Sequence, residues 1–202
     1  MGNLATLKTA KTLETDEWQL RVDLAAAFRL AARYDWHEAV ANHLSLAVSA
    51  DGNGRDADAS DPGDSTSAGQ CGAGEPSSTS SWHGTHVAGT IAAKTNNGVG
   101  VSGVAFNSKI VPGRVLGKCG GYTSDIADAI IWASGGSVSG VPANPNPARV
   151  INMSLGGGGA CDTTTQNAIN SARSRGTVVV VAAGNENSDA SGSNPANCAG
   201  VV

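Results

Sequence analysis

Thr177-Val-Val-Val-Val-Ala-Ala-Gly-Asn-Glu-Asn187 is the stretch on which the reading of this chain turns. Successive side chains of a strand point to opposite faces, so four valines in a row place apolar surface on both. Such a strand needs cover on both sides, as in parallel sheets flanked by helices. Gly184 and Asn185 then end it in a turn. Working outward, residues 163–175 bring Ala168, Ile169 and Ala172 to one face at helical spacing, with Gly176 past the end. Val150-Ile-Asn-Met-Ser-Leu155 is a second strand, and it runs into Gly156 to Gly159. Before it, Thr123 is placed to cap a helix that carries Ile126, Ile130 and Ala133 on one face and stops at Gly135-Gly136. Lys109-Ile-Val-Pro-Gly-Arg-Val-Leu-Gly117 reads as a further strand, weakened at Gly113 by about 0.5–1 kcal/mol. His-Gly-Thr-His-Val-Ala-Gly-Thr-Ile-Ala-Ala, from His83, reads as a helix with Val87 and Ile91 one turn apart and Asn96-Asn97-Gly98 as its stop. Strands alternating with helices predict an α/β fold: a three-layer, doubly wound, mostly parallel sheet.

Composition changes near residue 50. Before Ala50 stands one glycine, Gly2, and no proline or cysteine; all 7 prolines, all 4 cysteines and every other glycine of the 27 follow it. The chain is therefore divided into a helix–strand segment over 1–50 and a larger domain over 51–202. In the first, Thr15 caps, Asp16 and Glu17 favour the helix dipole, and Leu20, Leu24 and Phe28 share a face. Leu44-Ser-Leu-Ala-Val48 follows as a strand. Residues 51–82 are too rich in Gly, Asp, Ser and Pro for regular structure. With 40% apolar and 15% charged residues the chain is globular, and its net charge of −4 with no basic stripe argues against nucleic acid as a partner. No apolar run reaches the roughly 20 residues of a membrane helix.

Cys71, Cys119, Cys161 and Cys198 lack the short paired spacing of zinc ligands, so two disulfides in an oxidising compartment are expected, and three pairings are possible. Residues 1–30 do not read as a signal peptide, because Lys8, Lys11, Glu14, Asp16, Glu17 and Arg21 interrupt any apolar core. The two observations pull apart, and the expectation drawn from them is an N-terminus that is missing or replaced.

Two positions have catalytic character. An imidazole at a helix start, with Gly84 beside it, can offer one ring nitrogen to a nucleophile while the other is fixed from behind, which describes His83; His86 reads as turned into the helix body. Asn185, in the turn after the valine strand, can aim a side-chain amide across a cleft at a developing oxyanion. Gly120-Gly121-Tyr122 and Ser154-Leu-Gly-Gly157 are the segments able to offer backbone to an extended peptide. His37 and His43, without a third ligand, read as surface or structural.

HGTHVAGTIAA, INMSLGG and VAAGNEN, in that order, resemble the subtilisin-like serine proteases (subtilases) over residues 51–202, and among them the secreted bacterial type. The resemblance implies an incomplete subtilisin-like fold, His83 as general base and Asn185 as oxyanion donor. It further implies a substrate cleft between Gly120, Gly121 and Tyr122 on one side and Ser154, Leu155, Gly156 and Gly157 on the other. It implies a monomer acting on peptide or protein substrates, and the pairings Cys71–Cys119 and Cys161–Cys198. The acidic loop with Asp56, Asp58, Asp61 and Asp64 resembles a calcium loop of these enzymes, although Arg55 breaks the EF-hand pattern. Residues 1–50 resemble the N-terminal segment of class II aldolase/adducin-like proteins, without that family's metal histidines.

The chain departs from the subtilase pattern in two places. The family's triad runs Asp, His, Ser, and no Gly-Thr-Ser-Met-Ala-type string occurs in these 202 residues. Ser154, Ser188 and Ser191 stand in the wrong contexts to replace that serine. No Asp-[Ser/Thr]-Gly precedes His83 either; Asp51 is the nearest stand-in, and loss of the aspartate is the favoured reading. The expectation is a partial catalytic domain without turnover of its own. The competing readings are a chimeric or truncated non-catalytic fragment and an aldolase-like binding module.

Overall fold

The computed structural model describes the strand Val40–Asn42 and residues 62–202. Asp51, Asp56, Asp58, Asp61, the helix expected from Thr15 and the strand expected over 44–48 lie outside the described residues. The compact unit that carries the fold is His37–Val202 and so begins ahead of the compositional seam.

The α/β class is found. β1 (Val40–Asn42), β2 (Val150–Met153) and β4 (Val178–Val181) form a parallel sheet in the order β1-β2-β4. The register sets Val40 against Val150, Ile151 against Val179, and Met153 against Val181. β2 shows the period of two directly: Ile151 and Met153 are buried while Val150 and Asn152 are only partly covered. The valine run behaves less uniformly than expected. Val179 is fully buried but Val178 is 44% exposed, because the helices α2 (Thr123–Ala133) and α3 (Thr163–Ser174) build their core with Ile151, Met153 and Val179. That core joins Ala127, Ala129, Ile130 and Ala133 of α2 to Ala168, Ile169 and Ala172 of α3, and each buried isoleucine stabilises it by roughly 1.5–3 kcal/mol. On the far edge of β4, Val202 N–H donates to Val179 O at 2.9 Å and Val202 O accepts from Val181 N–H at 3.0 Å, a parallel pairing that extends the sheet.

The helices α1 (His83–Ala92), α2 and α3 fall where periodicity put them, with differences at their ends. α1 ends at Ala92, ahead of Asn96, because Gly103, Val104 and Ala105 donate to Ala93 O, Thr90 O and Ile91 O and satisfy its last carbonyls. Thr123 is the first helical residue of α2 and not its cap; Tyr122 holds that position in extended conformation. Asn144 closes the other end, donating its amide to the carbonyls of Trp132 and Ala133. The expected strand over 109–117 is corrected: only isolated bridge positions occur there, among them Gly117 with Gly120. Pro112 has no N–H for a ladder and Gly113 has no side chain to pack, so two adjacent residues interrupt it. Among the described residues no helix is long and apolar enough to cross a membrane.

α3 is anchored by Asp162. Its Oδ1 accepts from Thr165 N–H at 2.9 Å, while Oδ2 accepts from Thr165 Oγ at 2.6 Å and from the Asn194 amide at 3.0 Å. Asp162→Ala should therefore lower the urea midpoint by the worth of an N-cap, about 0.5–2 kcal/mol, with the slope unchanged. A midpoint equal to that of the parent chain would rule the anchor out.

Candidate active site

Parallel strands deliver their following loops to one edge of the sheet, and ligands bind beyond that carboxyl edge. β2 and β4 are neighbours, so the loops after Met153 and after Val181 leave side by side. Together they enclose a cleft of about 250 Å³ lined by Ser154, Leu155, Gly156, Gly157 and Gly158 from the first, and Ala182, Gly184, Asn185, Glu186 and Ser188 from the second. Gly192 and Ser193 close it.

The first wall is tied down from behind. Gly157 and Gly158 form β3, paired antiparallel with Asn194 and Ser193 of β5, and a short 3-10 turn, Ala190–Gly192, leads into that pairing. This qualifies the expectation for Gly157: part of its backbone is committed to the ribbon rather than open to a peptide. Asn197 adds amide bonds to Gly159 O at 2.8 Å and Ser191 O at 2.9 Å, and Cys161–Cys198 fastens the same two segments. Ser154 Oγ accepts from the Asn152 amide at 2.9 Å, which fixes it at the strand end.

The second wall carries Asn185. Gly184 has φ +107, a conformation open to glycine, and a Cβ there would meet the Glu186 carboxylate. Glu186 Oε2 accepts the Asn185 backbone N–H at 2.7 Å, so the turn is held by the backbone of Asn185 and not by its side-chain amide. Glu186 is a site residue the sequence reading passed over. Its signal was available, an acid directly after Gly-Asn at a strand's carboxyl end, and it gives the cleft a negative wall.

His83, Gly120, Gly121 and Tyr122 do not line this cleft. Gly117 N–H donates to Gly120 O at 2.8 Å, a tight turn through Lys118 and Cys119 that uses backbone the sequence reading left to substrate. Tyr122 is 67% exposed. The Cys71–Cys119 disulfide ties that turn to the loop ahead of α1, so both pairings implied by the resemblance are formed.

His83 is the first residue of α1 and is exposed, as is His86, which is therefore not turned inward. The residue before His83, Trp82, has φ 50, a left-handed conformation that costs an aromatic residue about 1–3 kcal/mol and persists only where its surroundings enforce it. Asp64 binds Ser81, the residue before Trp82. One of its carboxylate oxygens accepts from Ser81 N–H and the other from Ser81 Oγ at 2.7 Å, and Ser81 Oγ accepts from His83 N–H at 3.2 Å. Ser81 takes one bond at each Asp64 oxygen, which leaves each oxygen a further lone pair. Among the described residues no group of three or more His, Cys, Asp or Glu is arranged to hold a metal ion.

These bonds shift individual carboxyl groups. The Ser81 hydroxyl and backbone bonds hold the Asp64 carboxyl below its ordinary value, and the Thr165 hydroxyl and backbone bonds do the same for Asp162. Burial, aided by the charge of Asp128, raises Asp125. Depressed carboxyl groups stabilise the fold above the unfolded value, about 3.9, and lose that contribution as pH falls through their folded values; Asp125 acts in the opposite sense. The urea midpoint is expected to drop as pH falls below about 4, and Asp162→Asn should make the drop shallower. An acid limb of equal slope in that variant would contradict the assignment.

Residues 38–202 match the family model for the subtilase family. The chain is 71% identical over 152 residues to an extracellular protease of Xanthomonas campestris pv. campestris, and 54% identical over 157 residues to an extracellular basic protease of Dichelobacter nodosus. Each match takes in 75% of this chain but 26% of the relative, so the chain spans about a quarter of the length of these proteins. A solved protease structure from Pseudoalteromonas arctica is similar at 67% identity and a TM-score of 0.73, covering 81% of this chain and 48% of that one. With the family's residues in order along the strands and turns just described, the chain belongs to the subtilase family.

Proposed function

We propose that this chain carries the general base, the oxyanion donor and part of the substrate cleft of a secreted serine-type endopeptidase acting on extended peptides. The observation that carries the reading is the cleft itself, in which Ser154–Gly156 and Asn185 face one space at the carboxyl ends of two adjacent parallel strands. A peptide laid against Ser154–Gly156 would bind as an added strand, with its carbonyl directed toward Asn185. His83 would take the proton of an attacking serine hydroxyl as its oxygen bonds the carbonyl carbon. The Asn185 amide would donate to the resulting oxyanion. His83 would then hand the proton to the departing amine, and a water would release the acyl group by the same steps.

No Gly-Thr-Ser-Met-Ala-type string lies within these 202 residues, so the chain by itself forms no acyl-enzyme. Two disulfides and the extracellular relatives support a secreted, oxidising setting, and we read the protein as a monomer there. Asp56, Asp58, Asp61 and Asp64 stay the candidates for a structural calcium ion, and no activity is assigned to residues 1–50. The test is a chain extended through a Gly-Thr-Ser-Met-Ala-type helix taken from a relative. It should hydrolyse casein and react with a fluorophosphonate probe, while the 202-residue chain should do neither. A folded extended chain that is inert to both would defeat the proposal, as would labelling of the 202-residue chain.

A further inference from the structure

We propose that Asp64, acting through Ser81, is a positioning residue that fixes the direction in which the His83 ring leaves the start of α1. The proposal rests on the reading of His83 as the base. It explains a feature that reading leaves open. α1 opens without a side-chain cap: Trp82 holds the cap position in the left-handed region, and its side chain makes no capping bond. The φ of Trp82 decides how the next residue is presented, so whatever enforces it also aims His83.

Two contacts enforce it. In one, Ser81 is gripped at both its N–H and its hydroxyl by the two oxygens of Asp64, seventeen positions earlier, and its hydroxyl oxygen still accepts the His83 N–H at 3.2 Å. A serine bound at both groups cannot rotate away, and the first N–H of the helix is satisfied by the residue two before it. In the other, Gly63 (φ +81) lies so close that a Cβ would sit 2.5 Å from Ser80 Oγ and 3.4 Å from the Trp82 ring. The loop between these contacts is closed on itself by the Thr66–Ser78 bridge, with Thr66 Oγ and Ser78 Oγ 2.9 Å apart, and is fastened by Cys71–Cys119 to the turn beside Gly120. The loop from Asp64 to Ser80 thus works as a strap whose first residue, Asp64, reaches the turn before the histidine.

The test reads ring orientation directly. In the 202-residue chain labelled with ¹³C,¹⁵N-histidine, three-bond couplings report χ1 of His83. The parent chain should show the extreme values of one rotamer. Asp64→Ala and Ser81→Ala should both give averaged values, and Ser81→Thr, which keeps the hydroxyl, should restore the parent ones. His86, exposed and tied to this turn only by its backbone N–H to Trp82 O at 3.0 Å, should keep its couplings in every variant. Couplings at parent values in both alanine variants, with the methyl signals of Ile151 and Ile169 unchanged, would overturn the proposal. Should Asp64→Ala fail to fold, the Ser81→Ala and Ser81→Thr pair decides alone by the same readings. In the extended chain, Ser81→Ala is expected to lower kcat by about 10²-fold with KM held, the scale of a base misplaced by about 1 Å. Casein hydrolysis that survives His83→Ala would remove the base reading while the couplings still judged the positioning.

Discussion

His83→Ala in the extended chain should reduce kcat by about 10⁶-fold, the size known for loss of this histidine in a subtilisin, with little change in stability. The two halves of that expectation come from different facts. His83 is exposed and is the first residue of its helix, so its loss uncovers no core, and the effect on stability should be small beside that on kcat. Its chemical part is large because the base acts as a unit with the nucleophile: without it the serine hydroxyl keeps its proton through the attack. His86→Ala, one turn further along α1 and equally exposed, should leave casein hydrolysis within a few-fold of the parent rate. The measurement is kcat for casein or a chromogenic peptide beside the urea midpoint of each protein. A His83→Ala variant with parent-like kcat would end the assignment, and so would a His86→Ala variant that falls as far.

What the sequence disclosed of the fold is what burial dictates. Val179 in the valine run, the alternation through Ile151 and Met153, and Ala168, Ile169 and Ala172 on α3 all mark surfaces that must leave water, and each is found in the core. Where burial did not decide, the reading failed. Lys109–Gly117 has the apolar content of a strand, yet Pro112 and Gly113 deny it a continuous ladder. Val178 belongs to the run but not to the core, because α2 and α3 pack on the face that Val179 takes. β3 and β5 are two residues each, Gly157–Gly158 with Ser193–Asn194, and nothing in those residue types signals pairing. Their ribbon exists because the Cys161–Cys198 disulfide and Asp162 draw the two loops together.

The site divides in the same way. Ser154, Leu155, Gly156, Gly157 and Asn185 were legible because they follow strand ends that hydrophobic pattern located, and the structure gathers them in one cleft. Asp64 was noticed for its charge, and composition shows an acidic loop but not that a turn far along the chain bonds to both oxygens of its last member. Glu186 was overlooked because its use, an acceptor for the backbone N–H of the residue before it, depends on the left-handed Gly184.

Asn185→Ala in the extended chain should lower kcat by about 10²–10³-fold with KM nearly constant, the range known for loss of one oxyanion donor in a subtilisin. The split between kcat and KM follows from when the bond forms. A donor placed for the tetrahedral oxygen gains strength only as charge develops, so removing it raises the barrier without weakening the bound substrate. The structure gives a reason to expect a clean result. The turn is maintained by Gly184 at φ +107 and by the bond from the Asn185 backbone N–H to Glu186, and alanine at 185 keeps that N–H. The cleft should therefore persist in the variant while its side-chain donor is gone. Glu186→Ala supplies the converse: it removes the acceptor that holds the turn, so both KM and kcat should move. If Asn185→Ala instead raised KM and left kcat alone, Asn185 would be a binding residue for ground-state substrate, and the oxyanion would have to be stabilised elsewhere.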